Sequence, residues 1–132
     1  VVDVSDPARP QEAGFFDTPG TAESVVVEGT YAYLADGEGG WRIFDITDPM
    51  QPQEVGFFET PGFAQEVILA GSHVLVGVEG SILAVDVADP QRPQLAGAYE
   101  TPRVVLGLAA AGEHVYVANA TNGLLILHWT NE

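Results

Sequence analysis

The chain is 132 residues long and sets nineteen acidic residues against four basic ones, for a formal net charge of −15. That charge repels phosphate backbones and anionic bilayers, which argues against nucleic acid as a partner, and no long apolar run supports membrane insertion. The absence of cysteine excludes disulfides, thiolate nucleophiles and Cys-ligated zinc, while 46% hydrophobic and 17% charged residues are the composition of a folded domain.

A recurring aspartate serves as the ruler for the chain. Asp3, Asp45 and Asp86 align, with His128 in the fourth position, at spacings of 42, 41 and 42 residues. One domain over 1–132 therefore holds repeats at approximately 3–44, 45–85 and 86–128. Each repeat opens with a proline-rich corner and a short strand: DPARPQEAGFFDTPG, DPMQPQEVGFFETPG and DPQRPQLAGAYETPR. Proline cannot donate to a ladder, so this strand belongs at a sheet edge. A small, branched strand follows at Glu23–Gly29, Gln65–Gly71 and Leu106–Gly112, and its near-continuous apolar character predicts burial on both faces. Two further strands joined by a glycine-rich turn complete the unit. They read YAYLADGEGGWRIFDITDP from Tyr31 to Pro49, and return altered at His73–Pro90 and His114–Asn131. No stretch has the pattern of an amphipathic helix.

Four short antiparallel strands in a repeat of about 42 residues are the signature of a propeller blade. A sandwich has no reason to repeat its corner chemistry at one fixed period. The expected fold is all-β, built from three four-stranded antiparallel blades that form half of a six-bladed ring. The fourth-strand motifs WRIFD, ILAVD and LLILH, together with the flanking D-P-x-x-P-Q and [D/E]-T-P elements, resemble the LVIVD-repeat β-propellers. That resemblance implies a propeller with the apolar strand innermost and the proline-flanked strand outermost. It also implies an extracellular or cell-surface protein of bacteria or archaea, and no single activity.

On that strand order the chain begins inside one blade, and its last blade lacks an outer strand. Three blades cannot close a ring of the usual four to eight. An open arc would expose two apolar blade faces, and at about 25 cal/mol per Å² this forfeits on the order of 10 kcal/mol of burial. Two arrangements avoid the loss: a homodimer or other closed homo-oligomer, or the remaining blades of a longer chain. In the dimer, Val1–Asp6 and Ile126–Asn131 duplicate one segment, so one copy must be displaced.

The most regular polar pattern is Asp3, Asp45 and Asp86, each followed three residues on by Asp6, Asp48 and Asp89. Carboxylates in a ring could hold a hard cation, but uniform spacing before proline points to turn chemistry. Asp36–Gly40 is an acidic, flexible hairpin turn found in one blade alone. Asn119-Ala120-Thr121 has the form of a glycosylation sequon, which would put Asn119 at the surface. The loops leading into the inner strands and the hairpin turns should share one rim, around the channel mouth. They bring Glu23, Gln65, Glu66, Asp36, Glu38 and Arg103 there as candidate ligand-binding residues, with Thr18 and Thr60. His73 and His114 align with Tyr31 and read as half-buried strand residues. Phe15, Phe16, Phe57, Phe58 and Tyr99 read as packing between blades.

No enzyme signature is present: no nucleophile elbow, P-loop, dinucleotide fingerprint or H-E-x-x-H. The expected function is a non-catalytic scaffold or interaction module without a cofactor. It self-associates or belongs to a longer propeller, and presents variable loops for protein or ligand binding. The alternative is a carbohydrate- or small-ligand-binding or hydrolase-like site at the channel mouth. There Glu23 and Glu66 would serve as acid and base, and calcium would be the divalent cation.

Overall fold

The computed structural model of the chain describes residues 1–129. Two short strands come first, β1 (Val2–Asp3) and β2 (Gln11–Glu12). A four-stranded blade follows, with β3 (Ser24–Glu28), β4 (Tyr31–Ala35), β5 (Trp41–Asp45) and β6 (Gln53–Phe58). The second blade comprises β7 (Glu66–Ala70), β8 (His73–Val78), β9 (Ser81–Asp86) and β10 (Gln94–Glu100). The third comprises β11 (Gly107–Ala111), β12 (His114–Ala118) and β13 (Leu124–His128), with a short 3-10 turn at Ala120–Asn122. Each blade is an antiparallel meander in chain order, and β1 pairs with β2 in a separate two-stranded sheet. Among the described residues no helix is long and apolar enough to cross a membrane.

The blades stack face to face, with the inner strands β3, β7 and β11 side by side. Alternation along each strand sends residues into two separate cores. Trp41, Ile43 and Tyr33 of the first blade meet Val67, Val74, Val76 and Val85 of the second. Leu75, Ile82 and Ala84 on the second blade's other face meet Val105, Val115 and Val117 of the third. The middle blade is thus apolar on both faces because it is covered on both.

The outer strand of each full blade carries a bulge. Ile43 pairs with Gly56 and Phe44 with Glu54, leaving Val55 over; the same slip leaves Ala96 over between Leu95 and Gly97. Beside the first of these bulges sits Gly56, and Gly14 is its counterpart one repeat earlier; at both, the missing side chain admits the corner of the next blade. A Cβ on Gly14 would collide with the Pro49 carbonyl, and one on Gly56 with the Pro90 carbonyl. The corner therefore does two jobs, turning its own chain and docking on the preceding outer strand.

Double-sided burial of the inner strands holds for β7, where Val67 and Ala70 are buried. It fails at the ends of the stack. Val25 and Val27 of β3 are 58% and 55% exposed, and most of β11 is exposed, because no blade packs on their outward faces. At the other end Leu124 and Ile126 of β13 are 66% and 52% exposed.

Candidate functional site

Every aspartate of the corner pattern is turned onto local backbone. Asp3, Asp45 and Asp86 accept from the amides of Ser5, Thr47 and Ala88, each at 2.8 Å. Asp6, Asp48 and Asp89 accept from Ala8, Met50 and Gln91 at 3.1, 3.0 and 3.1 Å. The Thr47 hydroxyl also donates to Asp45 at 2.7 Å, and this bond, with the Thr47 amide, holds the Asp45 carboxyl below its ordinary value. The Ser5 amide and hydroxyl do the same for Asp3. These six carboxylates build turns.

The rim is made of the loops leading into β3, β7 and β11 and of the hairpin turns after β4, β8 and β12. One backbone bond recurs in each blade: Glu23 N to Ala35 O, Gln65 N to Gly77 O, and Leu106 N to Ala118 O, all at 2.9 Å. The first hairpin also reaches the second blade, since Gly37 and Ala64 exchange amide–carbonyl bonds of 2.9 and 3.0 Å. The first hairpin and the loop leading into the second blade are thus in contact, and the residues expected along this rim differ sharply in exposure.

Asp36 departs from the expectation of an exposed ligand residue. It is fully buried and accepts from the Thr18 hydroxyl at 2.6 Å and the Gly20 amide at 3.0 Å. Arg42 Nε lies 3.3 Å from Asp36 Oδ2, the oxygen that accepts from Gly20, and Arg42 Nη1 donates to Glu54 at 2.7 Å while the guanidinium stacks over Phe57 at 4.5 Å. Gly20 and Gly39 are pressed against this carboxylate so closely that a Cβ on either would collide with Asp36. Asp36 is a structural hub that ties the incoming loop to the hairpin.

Glu66 is half-buried and joins two blades. The Ser24 hydroxyl of β3 donates to Glu66 Oε1 on β7, and the Val67 amide reaches the same oxygen at 3.1 Å. Glu38 is exposed and accepts from Thr21 at 3.2 Å. Glu23 and Arg103 are exposed and Gln65 half-buried. No hydrogen bond joins the Glu23 and Glu66 carboxylates among the described residues. The Arg103 contribution is its carbonyl, which accepts from the Thr101 hydroxyl at 2.6 Å.

Two residues carry more than the sequence showed. Arg42 read as one of four scattered cations, yet it is the cation of the Asp36 hub. Asn119 read as a surface sequon, yet it is fully buried, and its amide donates to the carbonyls of Arg103 at 2.7 Å and Val104 at 3.4 Å. Its alignment with Asp36 was the available signal: both follow the second strand and both hold the loop leading into their own blade. His73 is half-buried with its ring edge-on to Trp129, as expected, whereas His114 is exposed because no strand among the described residues covers the outer side of the third blade. Phe58 packs on Trp41 and Phe16 on Phe44, while Phe15 stays exposed.

The family model of the LVIVD repeat matches four successive segments, 1–18, 19–60, 61–101 and 102–128. The chain belongs to the LVIVD-repeat family. Its segment boundaries fall in the loops leading into the inner strands, so a family repeat is one blade plus that loop. Among solved structures, the LVIVD-repeat chain is similar to the computationally designed Ika8 protein, with a TM-score of 0.63 at 15% identity. The likeness covers 79% of this chain and 32% of that one, so the chain spans about a third of that protein's length. No curated protein matches the LVIVD-repeat chain closely enough to count as a relative.

Proposed function

We propose that the chain is a non-catalytic propeller module that completes a closed ring and presents its rim loops to a protein or other ligand. The observation that carries this reading is how the polar residues are used. The aspartates repeated in every blade, and the buried Asp36 and Asn119, are consumed by turns and loop anchoring. What stays open on the rim, Glu23, Glu38, Gln65 and Arg103, varies from blade to blade on a constant backbone. Family membership supports a place outside the cell or at its surface in bacteria or archaea.

The test is joint replacement of Glu23, Glu38 and Gln65 by alanine. The expected result is unchanged folding and melting, with no turnover of chromogenic esters, glycosides or phosphates by the parent protein. Turnover by the parent that the triple variant loses would overturn the reading. Addition of calcium or EDTA is expected to leave the melting temperature where it is, and a calcium-dependent rise would overturn the cofactor-free part.

A further inference from the structure

We propose that the free edge of β13 receives the Gln11–Phe16 segment of a second copy as its fourth strand, so that two copies close one ring. This rests on the reading of the chain as a ring-completing module, and names the partner. The chain itself displays the occupant twice. In the first blade the outer strand pairs Asp45 with Gln53, Phe44 with Glu54, Ile43 with Gly56, Arg42 with Phe57 and Trp41 with Phe58. Transferred by alignment, this register sets His128 against Gln11, Leu127 against Glu12, Ile126 against Gly14, Leu125 against Phe15 and Leu124 against Phe16 of the partner.

The incoming strand is already held in place on its own copy. Gly14 seats the Pro49 carbonyl and Phe16 packs edge-on to Phe44 at 4.9 Å, the relation that Gly56 and Pro90 repeat one blade later. The edge that β13 would take is now occupied by β1, which pairs Val2 with Glu12 and Asp3 with Gln11. It is tied further by Val1, whose carbonyl accepts from the Ala13 and Gly14 amides at 3.0 and 3.3 Å and whose amino group donates to the Gly14 carbonyl at 2.9 Å. Val1, Val2 and Val4 remain more than half exposed there, so β1 buries little that its displacement would lose. By contrast β13 offers five residues, and its exposed Leu124 and Ile126 would gain a partner.

The same docking fills a second gap. Gly97 corresponds to Gly14 and Gly56, but nothing among the described residues lies within 4 Å of a Cβ built there. It lines a cleft of about 390 Å³ between the second and third blades, with Leu75, Ile82, Ala84, Tyr99 and Trp129. In the joined ring the partner's Asp6-Pro7 corner would sit on Gly97 as Pro90 sits on Gly56. The exposed Val25 and Val27 of one copy then meet the third blade of the other, and continue the apolar contact that already joins blades within a chain.

The absence of native cysteine makes the register testable. Chains carrying Gln11→Cys and chains carrying His128→Cys, mixed and mildly oxidised, are expected to form a disulfide-linked pair. The out-of-register combination of Gln11→Cys with Leu124→Cys is expected not to. Light scattering on the intact parent should give twice the mass of one chain. Gly97→Val should keep the circular dichroism of the parent and return the mass of one chain, because its side chain has room in the single copy and none under a docked corner. A parent with the mass of one chain overturns the proposal, as would be the case if further blades of a longer polypeptide fill the site. A double-mass parent that neither cross-links in register nor responds to Gly97→Val overturns the strand exchange while leaving the scaffold reading intact.

Discussion

Replacing Asp36 by alanine separates a structural hub from a ligand site. The carboxylate accepts from Thr18 at 2.6 Å and from the Gly20 amide at 3.0 Å, and its removal orphans that amide and takes away the charge that faces Arg42 Nε 3.3 Å away. Hydrogen bonds to charged groups contribute about 1.5–3 kcal/mol each, and loss of one member of a buried pair costs about 3–5 kcal/mol. Arg42 keeps Glu54 and the face of Phe57, which limits the damage on the cationic side. The net expectation is a loss of about 3 kcal/mol for Asp36→Ala and about half that for Asp36→Asn, which retains one acceptor oxygen. At about 2.1 cal/mol/K per residue a chain of 132 residues unfolds with roughly 0.28 kcal/mol/K, so the alanine variant should melt about 10 °C lower. Urea denaturation and thermal unfolding, both without any ligand, measure this. A midpoint within 1 °C of the parent would refute the hub and return Asp36 to the list of free rim residues.

Asn119→Asp should lose about 2–3 kcal/mol in the same urea assay, since a buried carboxylate would face the Arg103 and Val104 carbonyls that the amide now donates to. Gly56→Ala should cost about 1–3 kcal/mol because its Cβ meets the backbone of the Pro90 corner, while Gly97→Ala should change single-chain stability by less than about 0.5 kcal/mol. The lowered carboxyls of Asp3 and Asp45 contribute stability that is present above the unfolded value of 3.8 and lost as pH falls through the lower folded values. Asp45→Asn should therefore flatten the acid limb of a melting-temperature profile below about pH 4, and an unaltered limb would count against the Thr47 bonds as its cause. Ring closure by two chains of charge −15 should tighten as salt rises from 10 to 150 mM, where the screening length falls from about 30 to about 8 Å, and sedimentation velocity would show it.

The blades were legible in the sequence because their construction repeats at one period. Proline at the corners, glycine at the turns and alternating Val, Leu and Ile each constrain the backbone locally, and three copies remove the ambiguity of one. The corner aspartates were legible for the same reason, since an amide two residues on is within reach of any Asp in such a turn. Asp36 and Asn119 were not, because burial is a property of which loop folds over them. Nothing in Asp36-Gly37-Glu38-Gly39-Gly40 states that Thr18 and Gly20 will close on its first residue. Nor does the sequence show that Arg42 opposes that residue, because the pairing of Leu34 with Arg42 in the β4–β5 ladder is what brings them together. The glycines of the outer strand were equally silent. Gly14 and Gly56 read as weak points of a strand until the next blade's corner is placed against them.

Variation between blades therefore has two sources that sequence comparison cannot part. At the residue after the second strand the first blade uses Asp36 to accept from a hydroxyl and an amide, and the third uses Asn119 to donate to two carbonyls. Chemistry of opposite sense does the same work, holding the loop that leads into the inner strand. In the first blade that loop presents a hydroxyl and an amide, in the third two carbonyls, and each blade needs its own match. Such positions vary because packing partners vary, and no ligand is needed to explain them. Glu23, Gln65 and Leu106 differ as widely, yet all three give the fold the same thing, a backbone amide 2.9 Å from a carbonyl of the second strand or its turn. Their side chains are free of that duty. A recognition surface on these blades would be written in the second kind of position, and burial is what tells the two apart.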